Sequence, residues 1–178
     1  MGPLVRAELT GTDWASLACG CGRSAEHLPG RFEAILTAGT PRDMIGRTLE
    51  GHVENSTVAF PCTPPAVGVI MAALAEPISP LARQVLLQTL WYVAAGAGDE
   101  DPRPGMAGIG EACADRVREG LGALVRAGLG GTADEATMVA DICEDLGLDE
   151  DAVEGEDESY VVRLRERARA KAKRDGRG

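Results

Sequence analysis

Two cysteines and one histidine form the pattern in this chain that most resembles a metal site. Cys19 and Cys21 are separated by one glycine, and His27 follows shortly after them in sequence. Thiolate sulfur and imidazole nitrogen are ligands that Zn²⁺ prefers. The pattern lacks the paired Cys-x-x-Cys motifs of common zinc folds, and free cysteines are most often small buried side chains. Two interpretations stay open: a zinc site or metal-dependent enzyme that uses these three residues, or buried thiols in a turn. We expect the second, with no metal and no cofactor.

A catalytic role is considered for His52, which has Glu50 and Glu54 close to it in sequence. A helix would direct residues two positions apart toward different faces, so these carboxylates would not meet the imidazole. The chain contains no Gly-x-Ser-x-Gly nucleophile motif and no glycine-rich phosphate loop with its lysine. Lysine occurs only at positions 171 and 173. We therefore predict no catalytic residues and no enzymatic activity.

Adjacent aromatic residues and an acidic loop are the candidates for binding another protein. Trp91 and Tyr92 would face different sides of a helix, with Trp91 on the buried stripe and Tyr92 either on a partner-facing surface or packed against the next helical unit. Asp99, Glu100 and Asp101 lie in the glycine- and proline-rich loop that follows. This acidic triplet lacks the spacing of an EF-hand loop, and so does the triplet at 149–151, which makes calcium binding the less favoured interpretation.

The charge of the chain limits the class of partner. Its 178 residues carry a formal net charge of -10 and give a pI near 4.7. Eight of the 18 basic residues fall in 163–177, and the other 10 are set against 26 acidic residues in the rest of the chain. Such a charge disfavours nucleic acid and anionic membranes as partners and favours a basic protein. A nucleic-acid adaptor that uses the basic tail is a third and less favoured hypothesis.

The cellular location is predicted from two further features. The sequence contains no run of about 20 apolar residues, and the first 20 residues lack the basic and apolar parts of a signal peptide. The five cysteines are scattered and odd in number, which is typical of reduced thiols rather than a disulfide framework. We therefore expect a cytoplasmic protein.

Helices are predicted in the N-terminal third from caps, prolines and apolar spacing. A short helix near Thr12 or Asp13 would carry Trp14 and Leu17, and a second would run from Pro29 to Gly39 with Phe32, Ile35 and Leu36 inward. Thr40 and Pro41 predict a third helix that buries Ile45, Leu49 and Val53. An extended connector over 55–61 would bury Val58 and Phe60.

A helical hairpin is the clearest prediction. It starts at Thr63-Pro64 and at Ser79-Pro80, each an N-cap followed by proline in the first turn. Apolar residues recur at i, i+3, i+4 and i+7 in both segments: Val67, Ile70, Met71 and Leu74, then Leu87, Leu90, Trp91 and Ala94.

Three more helices are predicted after the acidic loop. The first covers about 110–127 with Cys113, Val117, Leu121 and Leu124 on one stripe, and the second is capped by Thr132 and buries Val139, Ile142, Cys143 and Leu146. The last has Tyr160, Val161, Leu164 and Ala168 on one side. We expect this terminal helix to be solvated and to fray after Arg169; docking of the basic helix on the acidic body or on an acidic partner is the alternative.

The spacing of the helices predicts an all-α fold. First members of successive pairs begin near Arg31, Pro64 and Gly110, which brackets the period of roughly 40 residues of two-helix solenoid units. The prediction is an irregular HEAT-like α-solenoid of about three helical pairs over residues 1–148. Residues 149–178 would form an acidic linker and a charged, basic C-terminal helix or tail.

Part of the chain resembles a known group of proteins. Trp14, Leu17, Gly22 and Pro29, together with the connector Thr57–Ala66 and the apolar helix after it, are similar to a mostly actinobacterial group of HEAT-like, armadillo-type helical repeat proteins. The resemblance covers roughly residues 13–96 and implies an α-solenoid used for protein contact. Most members of that group have no assigned activity, and some are similar to toxin-neutralising immunity proteins. The resulting hypothesis is a non-catalytic interaction module, immunity-like or regulatory, that occludes a basic partner.

Overall fold

Helices make up most of the structure, which is a computed structural model and describes residues 1–98, 106–148 and 159–176. The α-helices in chain order are α1 Pro3–Gly11, α2 Leu28–Thr37, α3 Thr63–Leu74, α4 Pro80–Ala95, α5 Ile109–Glu119, α6 Leu121–Gly130, α7 Ala133–Asp145 and α8 Tyr160–Arg174. Two 3₁₀ turns cover Trp14–Ser16 and Ala25–His27, and β1 (Glu54–Asn55) pairs antiparallel with β2 (Val58–Ala59). The prediction of a mostly helical, all-α chain is confirmed.

The core is organised around α3, whose residues 66–71 are all buried. This helix packs against α1 and α5 more extensively than against α4, its partner in the predicted hairpin. Helix α4 packs chiefly against α7, which also contacts α6 and α8. None of the described helices combines the length and the apolar character that crossing a membrane requires.

The helix starts are confirmed at two of the predicted caps. The Ser79 hydroxyl accepts a hydrogen bond from the Ala82 amide, and Thr132 forms a capping box with Glu135 at the start of α7. Thr63 does not cap α3, because its hydroxyl donates to the Val53 carbonyl and accepts from the Phe60 amide. That hydroxyl therefore ties the preceding loop to the helix instead of closing the helix end.

The helix predicted to follow Pro41 is wrong. Residues 41–46 form turns, residues 47–49 are irregular, and Ile45 is 78% exposed, although Leu49 and Val53 are buried. Thr40 and Asp43 exchange hydrogen bonds as a capping pair would, but Gly46 has a left-handed backbone with φ near 72°. A helix cannot continue through that conformation, so the cap signal here closes a turn.

Other differences arise where the backbone bends. Val58 is 41% exposed on the β hairpin, against expectation, whereas Phe60 packs on the core as predicted.

The single helix predicted over 110–127 is two helices, α5 and α6, divided at Gly120. A Cβ atom at Gly120 would lie 2.7 Å from Met71 Cε, so the glycine permits close packing on α3.

The C-terminal helix packs on the rest of the chain. Val161, Leu164 and Ala168 are buried, and Arg165 forms ion pairs of 2.6 Å and 2.8 Å with Asp141 and Glu144 of α7. The helix continues to Arg174 instead of fraying after Arg169. Its apolar stripe was predicted correctly, and the expectation that it would be solvated was wrong because this stripe is covered by α7.

Candidate metal centre

The two cysteines lie in a tight turn between Ala18 and Ser24. The Cys19 amide donates to the Arg23 carbonyl at 2.9 Å, and the Gly22 amide donates to the Cys19 carbonyl at 2.9 Å. Gly22 has φ near 78°, a conformation that glycine adopts without strain. This turn directs both thiols to the same side, with Cys19 buried and Cys21 partly exposed.

The two histidines reach the turn from different parts of the chain. His27 ends the second 3₁₀ turn and precedes α2, while His52 lies in the turn before β1. The Gly20 amide donates to the His52 carbonyl at 2.9 Å and thereby joins the two loops. A Cβ at position 20 would lie 2.4 Å from the Phe60 ring, so only glycine allows this approach.

Four potential ligand atoms converge at this junction. Cys19 Sγ lies 3.6 Å from His27 Nε2 and 3.5 Å from His52 Nδ1. His27 Nε2 lies 4.0 Å from Cys21 Sγ and 3.0 Å from His52 Nδ1. One ligand atom from each of the four residues lies within 4.8 Å of all the others.

These separations are close to those of ligands around one tetrahedral zinc ion. Zinc bonds of about 2.0–2.1 Å to nitrogen and 2.3 Å to sulfur, at tetrahedral angles, place two nitrogens about 3.4 Å apart and a nitrogen and sulfur about 3.6 Å apart. The sulfur–nitrogen distances of 3.5–4.0 Å span the second of these values, and the 3.0 Å between the histidine nitrogens is about 0.4 Å shorter than the first. Without a metal, the same 3.0 Å distance suits a hydrogen bond between the imidazoles.

The protonation of the cluster is set by its surroundings. The Arg23 backbone amide lowers the pKa of the Cys21 thiol, whereas burial raises the pKa of Cys19. Burial, with nearby Arg31, lowers the pKa of His52 and favours its neutral form. A neutral imidazole and a readily ionised thiol are the states that bind a metal, and the buried Cys19 thiol would release a proton on binding.

A third sulfur lies beside the cluster but faces a carbonyl oxygen. The Cys62 and Cys19 thiols both lie 3.4 Å from the His52 carbonyl oxygen, to which each donates. Burial raises the pKa of Cys62 to about 12, so it stays a protonated thiol. Cys113 on α5 is also buried, and burial raises its pKa to about 12.

The predicted protein-binding residues lie elsewhere. Trp91 and Tyr92 on α4 are both partly buried, with ring centroids 5.2 Å apart. Trp91 packs on the core as expected, and Tyr92 lines a cavity together with Glu50 and Glu54. Asp99, Glu100 and Asp101 lie outside the described residues.

Glu50 lies at an isolated β-bridge and Glu54 in strand β1, not in the helix that the sequence suggested. Both carboxylates line the cavity beside Tyr92, whereas the His52 ring faces the thiols. Burial raises the pKa of Glu54 to about 7, and the negative charge of Glu50 adds to this effect.

The sequence interpretation missed His52 as a ligand. It lies 25 residues from His27, in the segment for which a helix was predicted. The chain has only two histidines, and both are in the cluster, so a search for every residue able to complete Cys19, Cys21 and His27 would have found it.

Comparisons with known proteins add no family to this picture. No model of a protein family matches the chain. Searches of curated proteins and of solved structures likewise returned no match.

Proposed function

We propose that this chain is a zinc-binding helical protein whose metal is held by Cys19, Cys21, His27 and His52. One observation carries the proposal: one ligand atom from each residue lies within 4.8 Å of all the others, in a set of two sulfurs and two nitrogens. Zinc is the divalent metal that most often takes two thiolates and two imidazoles in tetrahedral geometry. The earlier expectation of metal-free buried thiols is replaced by this proposal.

The proposed site is structural rather than catalytic. Catalytic zinc sites usually keep one position open for water or substrate, whereas four protein ligands close the coordination sphere. The ligands come from the 19–22 turn, the start of α2 and the turn before β1. A metal bound to all three segments would join α2 to the loop that leads into α3, and a metal-dependent enzyme becomes the less favoured alternative.

We expect protein purified without chelators to contain about one zinc ion per chain. Cys19→Ser and His52→Ala should each lose most of this zinc, because each removes one of four ligands. Zinc is measured by elemental analysis of protein at known concentration. In protein reloaded with Co²⁺, the visible spectrum should show tetrahedral bands and thiolate charge transfer.

A matched control is Cys113→Ala, which removes a buried thiol from α5 while leaving all four ligands in place. It should keep the zinc content and the cobalt spectrum. Folded, metal-free wild-type protein that takes up neither ion would show the proposal to be wrong.

We further propose that the helical scaffold is a cytoplasmic protein-contact module, arranged as a HEAT-like solenoid and acting by occlusion of a basic partner. Its support is the acidic composition and the Trp91–Tyr92 pair, which stays partly exposed on α4. Partly exposed aromatic residues are enriched at binding hot spots. The resemblance of residues 13–96 to HEAT-like proteins points to the same class of function.

The partner proposal predicts salt-sensitive and Tyr92-dependent binding. A basic protein captured from the native cell at low salt should bind more weakly at high salt, since acidic steering is screened. Tyr92→Ala should weaken that complex by about tenfold, and Tyr160→Ala, a partly exposed tyrosine on α8, should not. Equal affinity of the two variants, or no effect of salt, would count against the proposal.

A further inference from the structure

A small cavity with mixed polar and apolar walls lies between α4 and the chain segment 44–54. Its volume is about 200 Å³. Glu50, Glu54, Gln88 and Tyr92 contribute to its walls. This volume is below the roughly 300 Å³ at which pockets for drug-sized ligands begin. The cavity therefore suits one side chain or one small head group rather than a large cofactor.

Glu54 is the unusual residue of this cavity. It is only 2% exposed, and among the described residues its Oε2 atom has no hydrogen-bond partner. Buried polar atoms in folded proteins almost always have a partner, and an unpaired buried carboxylate is costly. The position is therefore suited to a donor that arrives from outside the chain.

The charges around the cavity favour a cationic donor. Glu50 adds a second carboxylate to the lining. Arg47 also lines the cavity, but its Nη1 atom donates to the Ala34 carbonyl at 2.5 Å. Among the described residues it forms no ion pair with Glu50 or Glu54, so this arginine does not occupy the place of a cationic partner.

We propose that this cavity binds an ammonium or guanidinium head group, with Glu54 as its buried carboxylate contact. Glu50 supplies a second negative charge, and Tyr92 offers an aromatic face, which attracts cations. The head group comes either from a free small amine or from a lysine or arginine side chain of another protein. The inference goes beyond the zinc proposal and does not depend on it.

The first test uses protein purified without chelators and the probe butylammonium chloride, with 1-butanol as its neutral analogue. Amide resonances of residues 47–54 and 85–92 should shift on titration with the amine, and 1-butanol should not reproduce the shifts. Glu54→Gln, which keeps the shape but removes the charge, should weaken binding by about tenfold or more. Glu166→Gln, an exposed carboxylate on α8, is the matched control and should leave binding unchanged.

A second variant keeps the proposal testable if Glu54→Gln does not fold. Glu50 is exposed, so Glu50→Gln should fold normally and weaken butylammonium binding by about twofold to fourfold. No localised shifts in the wild type, or equal affinity in Glu54→Gln and the wild type, would overturn the proposal. The zinc content of the same samples is measured as well, so that a failure of the zinc proposal can be told apart from a failure of this one.

Two peptides distinguish the sources of the cation. A capped Gly-Lys-Gly peptide should shift the same resonances, and its norleucine counterpart should not. Affinity at least tenfold above that of butylammonium assigns the cavity to a protein side chain. If the lysine peptide binds no more tightly than butylammonium, the cavity is assigned to a small amine. Both outcomes support recognition of an ammonium group.

Discussion

Removal of zinc is expected to lower the melting temperature by about 8–16 °C. A ligand present at about 1,000 times its dissociation constant stabilises the folded state by about 4 kcal/mol. For a chain of this size, each kcal/mol corresponds to about 2–4 °C. The measurement is thermal unfolding followed by circular dichroism, with and without a strong chelator.

The loss of stability should be local to the segments that carry the ligands. Few backbone hydrogen bonds hold the 19–27 region, and the Gly20 amide to His52 carbonyl bond is the one that joins it to the second loop. Hydrogen exchange at Gly20, Gly22 and Ala25 should accelerate after chelation. Amides of α7 and α8 should keep their protection, because that helix pair packs through its own apolar stripe and ion pairs.

Two variants check the origin of the effect. Chelator should not change the melting temperature of Cys19→Ser any further, since its site is already incomplete. Cys113→Ala should respond to chelator as the wild type does. If wild-type protein melts at the same temperature with and without chelator while containing zinc, the metal is not structural.

The metal cluster could be predicted only in part because its ligands come from two loops. Cys19, Cys21 and His27 are near one another in sequence, so the sequence alone indicates a possible set of metal ligands. The place of His52 in the cluster could be predicted only from the fold of the segment 40–53. The capping pattern at Thr40 and Pro41 predicted a helix there, and a helix would have directed the His52 ring elsewhere.

The fold was predicted best where one apolar stripe is long and regular. The stripe of α7 and the starts at Ser79 and Thr132 agree with the structure because cap chemistry and burial act within one segment. The division at Gly120 depends on contact with Met71 of another helix. Helix α1 was not predicted, since it buries only Val5 and Leu9.

The surroundings of the predicted interaction residues could also be predicted only in part. The sequence could place Trp91 and Tyr92 on different faces, and only the structure shows that Tyr92 shares a cavity with Glu54. That cavity joins α4 to the β1 segment, and β2 and α3 lie between these two elements in sequence. No local pattern carries such information.

Arg83→Ala is expected to destabilise the protein by about 3–5 kcal/mol at neutral pH. Glu135 is 3% exposed, and Arg83 holds it with two hydrogen bonds, Nε to Oε1 at 2.8 Å and Nη2 to Oε2 at 3.2 Å. Loss of the arginine leaves a buried carboxylate that still accepts a hydrogen bond from the Thr132 amide but has lost its bidentate cation. Removing one partner of a buried ion pair costs this much because the remaining charge is uncompensated. Urea unfolding of both proteins measures the difference.

The controls separate a buried pair from a surface pair. Arg118→Ala breaks an ion pair with Asp115 in which both side chains are at least 45% exposed, and it should change stability by less than about 1 kcal/mol. Replacing both members, as Arg83→Met with Glu135→Gln, should cost much less than Arg83→Ala, since no buried charge is left. A double variant as unstable as Arg83→Ala would show that lost packing, not charge, is responsible.

The pH dependence of Arg83→Ala follows from the pKa of Glu135. Burial alone would raise this pKa, but the hydrogen bonds from Arg83 and Thr132 outweigh burial and lower it below the usual 4.5. A carboxyl with a lowered pKa contributes stability that is present above pH 4.5 and is lost as the pH falls through its folded-state value. The difference between wild type and Arg83→Ala should therefore be largest at neutral pH and should shrink below pH 4.5. A difference that stays constant over this range would mean that Arg83 stabilises α4 and α7 without its charge.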